Sequence, residues 1–410
     1  MGYTAVKGGA EAIAAAERLL LELPTEAGEL RVELRQVRHQ LKASVDKVMA
    51  EGGVYAPDLA ALAIVQTEGD LMEAAFMLRA YRSTLPRLGY SLPVADREMR
   101  VIRRISSAFR DVPGGQVLGR TRDYTQRLFD FTGTAAGSAA LNAATPEAAA
   151  ASLTSDGSDA VPWYLPKVSD AMRAMGVMDQ LPKPSDDAEP FDITREALRF
   201  PASRPAWLQA LARGESGALL ALSYSSIRGF GGIANHGTIA ELRAGDLPLQ
   251  VVHPLTGLPV TIGSFRATAV EMTGNEKTKD AAGAKGDRYG LSYGIVFGQE
   301  ERKAIAMALL DSTLQAQAPV EGEPPPAADQ EMVLYHSDGV ESLGFVEHLK
   351  LPHFVTFGSG LQATLERSAV ASGAALREEE PHSHGPGDEP HTHGADGAKQ
   401  PSHGAVPTAG

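Results

Sequence analysis

His348 and His353, in the stretch His348-Leu349-Lys350-Leu351-Pro352-His353, are the side chains whose type and spacing best suit a metal ion. Zinc accepts imidazole nitrogen but takes three or four protein ligands as a rule. Pro352 pushes Leu351 out of the α region, so the pair cannot be a helical i, i+4 chelate. His348 is expected at a helix end and His353 on an extended turn that folds back. The missing ligands would come from His336, Asp338, Glu341 just upstream, or from another chain. The plainer alternative is two half-buried imidazoles satisfied by backbone carbonyls.

A second chemistry is written in arginine. Between Arg97 and Arg127 stand Arg97, Arg100, Arg103, Arg104, Arg110, Arg120, Arg122 and Arg127, interrupted by Glu98, Asp111 and Asp123. At the centre lies Pro113-Gly114-Gly115-Gln116, where glycines let backbone amides approach a ligand closely. Arginines around a glycine turn suit a polyphosphate or a phosphorylated sugar. A solvated helix face, or a dock for an acidic partner, would use the same residues. Further on, Tyr289 to Lys303 reads as strand, turn and helix start, with Glu300 and Glu301 complementing the helix dipole. Lys303 and Arg302 could reach a ligand held by other loops. Asn235-His236-Gly237 and Ser203-Arg204 are polar loop elements without decisive spacing. No nucleophile elbow, zincin helix or dinucleotide-binding glycine pattern occurs.

The elements that must position these groups divide the chain in two. Residues 1–132 read as a helical domain. An Ala-rich helix opens at Gly8-Gly9, a second runs from Glu29 to Met49 and stops at Gly52-Gly53, and Asp70-Leu71-Met72-Glu73 is a capping box. Helices are also expected over Asp96 to Phe109 and Arg122 to Phe131. Residues 133–198 read as a low-complexity insertion and linker with a short helix. Residues 199–371 read as a mixed α/β domain, with strands at Leu219 to Tyr224, Leu249 to His253, Thr268 to Met272 and Leu291 to Phe297, then a helix from Gln299 to Leu314. The fold class expected is therefore α+β. From 372 onward the chain holds His382, His384, His391, His393 and His403 among Pro, Gly, Glu and Asp, the composition of a disordered tail.

Composition narrows the function classes. The 410 residues, 43% hydrophobic and 22% charged, describe a globular protein. The absence of cysteine excludes disulfides, thiolate metal sites and cysteine nucleophiles, and fits a reducing cytoplasm. No apolar run reaches a membrane-spanning length, and no signal-peptide pattern opens the chain. A net charge of −13 argues against nucleic acid as partner.

Several stretches together resemble the I subunit of the carbon–phosphorus lyase core complex. They are Ala5-Val6-Lys7-Gly8-Gly9 with Val45 to Met49, Gly69-Asp70 through Leu78-Arg79-Ala80-Tyr81-Arg82, Asp111 through Gln116 to Asp123-Tyr124, and Tyr289 to Asp311. His336-x-Asp338 and His348 to His353 follow in the same order and spacing. The resemblance covers roughly residues 1 to 370. It departs at the Ala-rich stretch near 133–153, at Asn275 to Asp287 and in the tail. It implies a nucleosidase-like transferase in which an alkylphosphonate displaces the purine of MgATP at the ribose anomeric carbon, giving ribose 1-methylphosphonate 5-triphosphate. Without the sister subunits G, H, J, K and L, water is expected to attack instead. On this resemblance Arg103, Arg104, Gly114, Gly115, Gln116, Arg122 and Lys303 would hold phosphate and phosphonate. Asp338 or Glu341 would stabilise the oxocarbenium-like state, and His336 would move the proton. Mg²⁺ would arrive with ATP, and His348 and His353 would hold zinc at the contact with the radical-enzyme J subunit. A metal-binding scaffold and a stand-alone purine nucleoside triphosphate hydrolase are the rival classes.

Overall fold

A computed structural model describes residues 9–21, 32–124, 127–129, 165–180, 191–230, 236–279, 285–315, 325–351 and 353–372. The expected linkers near 133–153 and 182–190, and the histidine-rich tail beyond 372, lie outside the described residues. Residues 7–350 form one unit, and residues 1–6 with 351–410 form another.

The helical opening follows its end signals. After α1 (Gly9–Leu21) come α2 (Leu34–Gln40), α3 (Lys42–Gly52), α4 (Pro57–Gln66) and α5 (Leu71–Thr84). Gly53 ends α3 at φ 66°, the left-handed turn that glycine adopts without a Cβ clash. Pro57 takes the first turn of α4, where its missing N–H costs no hydrogen bond. The Asp70 carboxylate caps α5 by accepting from Met72 N at 2.9 Å and Glu73 N at 3.2 Å. Val37, Val45, Val48, Met49, Ile64 and Leu78 close this layer into an apolar cluster.

One antiparallel sheet, ordered β1-β2-β3-β4, forms the centre. Its strands are β1 (Arg100–Ile105), β2 (Thr238–Val252), β3 (Pro259–Lys279) and β4 (Lys285–Phe297). The Asp96–Phe109 segment is therefore a 3-10 turn followed by a strand, not the expected helix. Arg103 and Arg104 break its apolar alternation because ion pairs, not solvent, satisfy them. The described part of Arg122–Phe131 is likewise not helical.

Between the strands of the sheet sequence stand α6 (Val168–Ala174), α7 (Arg204–Arg213) and α8 (Ser216–Ile227); α9 (Glu301–Gln315), α10 (Gln330–His336) and α11 (Gly339–Glu347) follow it. Leu219–Tyr224 lies in α8 rather than in a strand. Ser216, Leu219, Ser223 and Ser226 are its buried positions, a helical stripe. On one sheet face Leu211, Leu219, Leu242, Val270, Met272, Val296, Met307 and Leu310 make the main core. A Cβ on Gly294 would fall 2.1 Å from the Ala304 carbonyl oxygen, so α9 reaches β4 only across a glycine. The other face packs Met99, Val101, Leu165, Leu247, Ala267 and Ala269. In the second unit α12 (Phe354–Ala371) has no buried residue. No single helix among the described residues is long and apolar enough to cross a membrane.

Candidate active site

Strand register builds the site. Glu241 on β2 stands opposite Glu271 on β3, and Glu271 opposite Tyr293 on β4. Along the same face, Arg104 on β1 stands opposite Arg243 on β2. Like charges directly across a ladder repel, so each row needs the other. Glu241 accepts from Arg104 Nε, and Arg243 Nε lies 2.9 Å from the same oxygen. Glu241, Arg104 and Arg243 are all at most 2% exposed, where an unpaired charge would cost several kcal/mol.

Glu271 takes its cation from outside the sheet. Lys167, just before α6, places Nζ 2.5 Å from both Glu271 Oε1 and Asp96 Oδ2. The Tyr293 hydroxyl donates to the same Asp96 oxygen at 3.1 Å. Burial, then the Asp96 charge, push the Tyr293 phenol well above its usual range. This cluster floors a cleft of about 440 Å³. Arg97, Arg173 and Arg204 also line it, with Asp170, Leu208 and Leu291. Arg204 is aimed by Asp311, a fully buried carboxylate on α9 that accepts from Arg204 Nη2 at 2.6 Å, Trp207 Nε1 at 2.7 Å and Tyr293 N at 2.9 Å.

Glu271 Oε2 at this floor, and Glu241 Oε2, Arg243 Nε and Arg243 Nη1 beside it on the sheet, have no hydrogen-bond partner among the described residues. Buried groups are normally paired, and exceptions mark sites held ready for something. The volume is that of a small-molecule site, and its wall carries cations above a carboxylate floor. Such an arrangement can bind a polyanion while presenting negative charge to an electron-poor carbon.

Of the arginines expected from sequence to meet phosphate, Arg97 lines this cleft; Arg103, Arg104, Gly114, Gly115, Gln116, Arg122, Lys303, His336, Asp338, Glu341, His348 and His353 do not. Period-two alternation turns the consecutive arginines to opposite faces. Arg103 meets Glu301 at 2.8 Å and also pairs with Asp123. Besides Glu241, Arg104 donates to the carbonyls of Pro113 at 2.8 Å, Gly115 at 2.6 Å and Pro166 at 2.7 Å. The glycine turn thus presents carbonyl oxygens to Arg104, and Gly114 is needed because a Cβ there would meet Pro166 Cδ at 2.8 Å. Gln116 accepts from Ser106 N at 3.2 Å, and Arg122 is exposed.

Asp338 caps α11 and receives Arg79 Nη1 at 2.8 and 2.7 Å. Glu341 is exposed, and His336 Nδ1 lies 2.8 Å from the Met332 carbonyl. His348 Nδ1 meets the Phe345 carbonyl, and His353 Nδ1 the Leu351 carbonyl at 2.5 Å. In each contact a ring nitrogen faces a backbone carbonyl, which can only accept. Among the described residues no group of three or more His, Asp or Glu converges as a metal site.

Lys303 is fully buried, and its Nζ has no hydrogen-bond partner among the described residues. Burial lowers its pKa to about 8, against the pull of Glu51 and Glu300. Between that value and 10.5 the unfolded chain holds a proton that the folded chain lacks, so stability rises with pH there. The rise expected from this one group is about 3 kcal/mol. Glu300, pushed up to about 7 mainly by burial, titrates below that window. Urea unfolding of Lys303→Met should therefore lack the rise between pH 8 and 10 that the native chain shows; parallel curves would refute it.

Asp96, Lys167, Asp170, Glu241, Arg243, Glu271 and Tyr293 were missed from sequence because they come from separate segments with no common motif. The available signal was charge at alternate positions inside otherwise apolar strands, Glu241 with Arg243 above all.

Comparison with known proteins bears on this site. The family model described as "Bacterial phosphonate metabolism protein (PhnI)" matches residues 2–369. A "Putative C-P lyase subunit protein HtxH" of Stutzerimonas stutzeri is 45% identical over 367 residues, 88% of this chain and 94% of that protein. Two proteins named "Alpha-D-ribose 1-methylphosphonate 5-triphosphate synthase subunit PhnI" are similar over the same share of the chain. That of Escherichia coli (strain K12) is 44% identical over 365 residues and 96% of its length; that of Rhizobium meliloti (strain 1021) is 42% identical over 360 residues and 93% of its length.

Proposed function

The chain belongs to the PhnI family of bacterial phosphonate metabolism proteins, and from that premise we propose that its cleft displaces the purine of MgATP by an alkylphosphonate. A phosphonate oxygen attacks the ribose anomeric carbon, the carbon–nitrogen bond breaks, and the purine leaves with the electron pair and is protonated. The product is ribose 1-methylphosphonate 5-triphosphate. The observation that carries this reading is the unpaired Glu271 oxygen beneath a rim of Arg97, Arg173 and Arg204. The rim suits a triphosphate, and magnesium enters as part of MgATP. The floor carboxylate suits the oxocarbenium-like state of glycosidic displacement. This reading puts the reaction in the cleft rather than at Asp338, Glu341 and His336, which do not line it.

The relatives' names make them subunits, and we carry that over to this chain; its proposed partners, as the sequence resemblance implies, are sister subunits G, H, J, K and L of the carbon–phosphorus lyase system. Zinc belongs to the same proposal. His348 and His353 each offer one imidazole ligand, and the rest of the donor set comes from another chain.

Free adenine released from MgATP tests the function, measured with and without methylphosphonate and the sister subunits. Hydrolysis by the chain alone that turns into phosphonate transfer when partners are added is the expected result. No adenine under any combination would overturn the reading and leave a scaffold.

A further inference from the structure

The segment Leu78-Arg79-Ala80-Tyr81-Arg82 takes no part in the cleft. Arg79 and Arg82 stand three apart on α5, hence on one face. Arg213, at the end of α7, comes against them. An added Cβ on Gly53 would lie 3.3 Å from Arg213 Cγ and 3.7 Å from Arg82 Nη1, so two arginines converge over a side-chain-free turn.

Their partners are unequal. Arg79 is engaged through both Nη atoms, Nη1 on Asp338 and Nη2 on the Glu51 carbonyl at 2.6 Å, and only its buried Nε has no hydrogen-bond partner among the described residues. Arg213 comes no closer than 3.9 Å to Asp338, and its buried Nε has no hydrogen-bond partner among the described residues. Arg82 makes one long contact, 3.4 Å to the Gly53 carbonyl. Arg87, next outward, is matched by Asp192 at 3.2 Å. Arg79 and Arg213 therefore share Asp338, with exposed Glu341 acting on Arg213 from further off, while the carboxylate that acts on Arg82 is Asp192. The Asp338 cap accounts for Arg79 but leaves Arg82 with one long contact and the buried Arg213 Nε with none among the described residues. Burial and the neighbouring Arg79 charge hold both below the usual arginine range, the mark of cations short of negative charge.

We propose that Arg82 and Arg213, with Arg79 behind them, form a second oxyanion site, separate from the cleft, that takes a tetrahedral phosphorus oxyanion, either inorganic phosphate or an alkylphosphonate. Planar forks from two sides match two oxygens of such a dianion, which a single lysine ammonium would not.

The test is calorimetric titration of the full chain with inorganic phosphate and, separately, with methylphosphonate at low salt. An Arg204→Ala background weakens the cleft, so that the two sites are told apart. Saturable binding of either anion should persist in that background. It should weaken by about tenfold or more when Arg82→Gln or Arg213→Gln is added. Which anion binds identifies the source. Arg82→Gln removes only a 3.4 Å contact, so it keeps the test decisive if Arg213→Gln unfolds. No binding of either anion in the Arg204→Ala background, or binding untouched by Arg82→Gln, would overturn the site. Loss of adenine release with this binding intact would instead count against the cleft alone.

Discussion

Glu241→Ala should lower the free energy of unfolding by about 3–5 kcal/mol, the largest stability effect expected of one side chain here. The reason lies in register. β1 and β2 oppose Arg104 to Arg243, and both are 1% exposed or less. Glu241 is the carboxylate both contact. Without it two guanidiniums are buried side by side, and the Arg104 links to Pro113, Gly115 and Pro166 pull on a repelling pair. By comparison, burying a leucine such as Leu242 contributes about 1.5–3 kcal/mol. The missing charge therefore outweighs a core side chain. Glu241→Gln keeps volume and one acceptor, so it should fall between the native chain and Glu241→Ala. Urea midpoints at constant slope measure all three. A loss below about 1 kcal/mol for Glu241→Ala would mean that solvent reaches the pair.

The same charged row explains which parts of the fold could be read in advance. Asp70 announced α5 because an N-cap is local chemistry, complete within four residues, although only its Asp70 half forms and not the full capping box. Gly53 announced the end of α3 for the same reason. The sequence reads as helix over β1 because Arg103 and Arg104, assigned to a phosphate ligand, leave no strand pattern. Their partners Glu301 and Glu241 lie far off in sequence. Leu219 to Tyr224 was read as strand because a short apolar run carries no period of its own. Only Glu215, which caps α8 by accepting from Ala218 N at 2.6 Å, separates the two readings. The cleft was hidden more thoroughly. Asp96, Lys167, Glu271 and Tyr293 are each unremarkable in their own segment, and only the pairing of β3 with β4 puts two of them abreast. Asp338 and Glu341 drew attention as neighbours of histidine, yet Asp338 answers to Arg79 and to the end of α11.

Glu271→Gln should cut adenine release from MgATP by about 10²–10³-fold in kcat while the chain stays folded. Stability survives because Lys167 keeps Asp96 at 2.5 Å and the glutamine oxygen can still accept its proton. Turnover does not, because the positive anomeric carbon forms only on the way to the transition state. A charge placed in advance in a dry site acts most strongly there. Ground-state affinity for MgATP rests on Arg97, Arg173 and Arg204, so KM should hardly move. Asp338→Asn supplies the contrast. It loosens Arg79 and costs stability, but on this reading it leaves kcat within a few-fold of the native value. Full activity in Glu271→Gln with collapse in Asp338→Asn would move the chemistry out of the cleft. A drop in Glu271→Gln confined to KM would make that carboxylate a substrate anchor, because uniform binding alters affinity and leaves the chemical step alone.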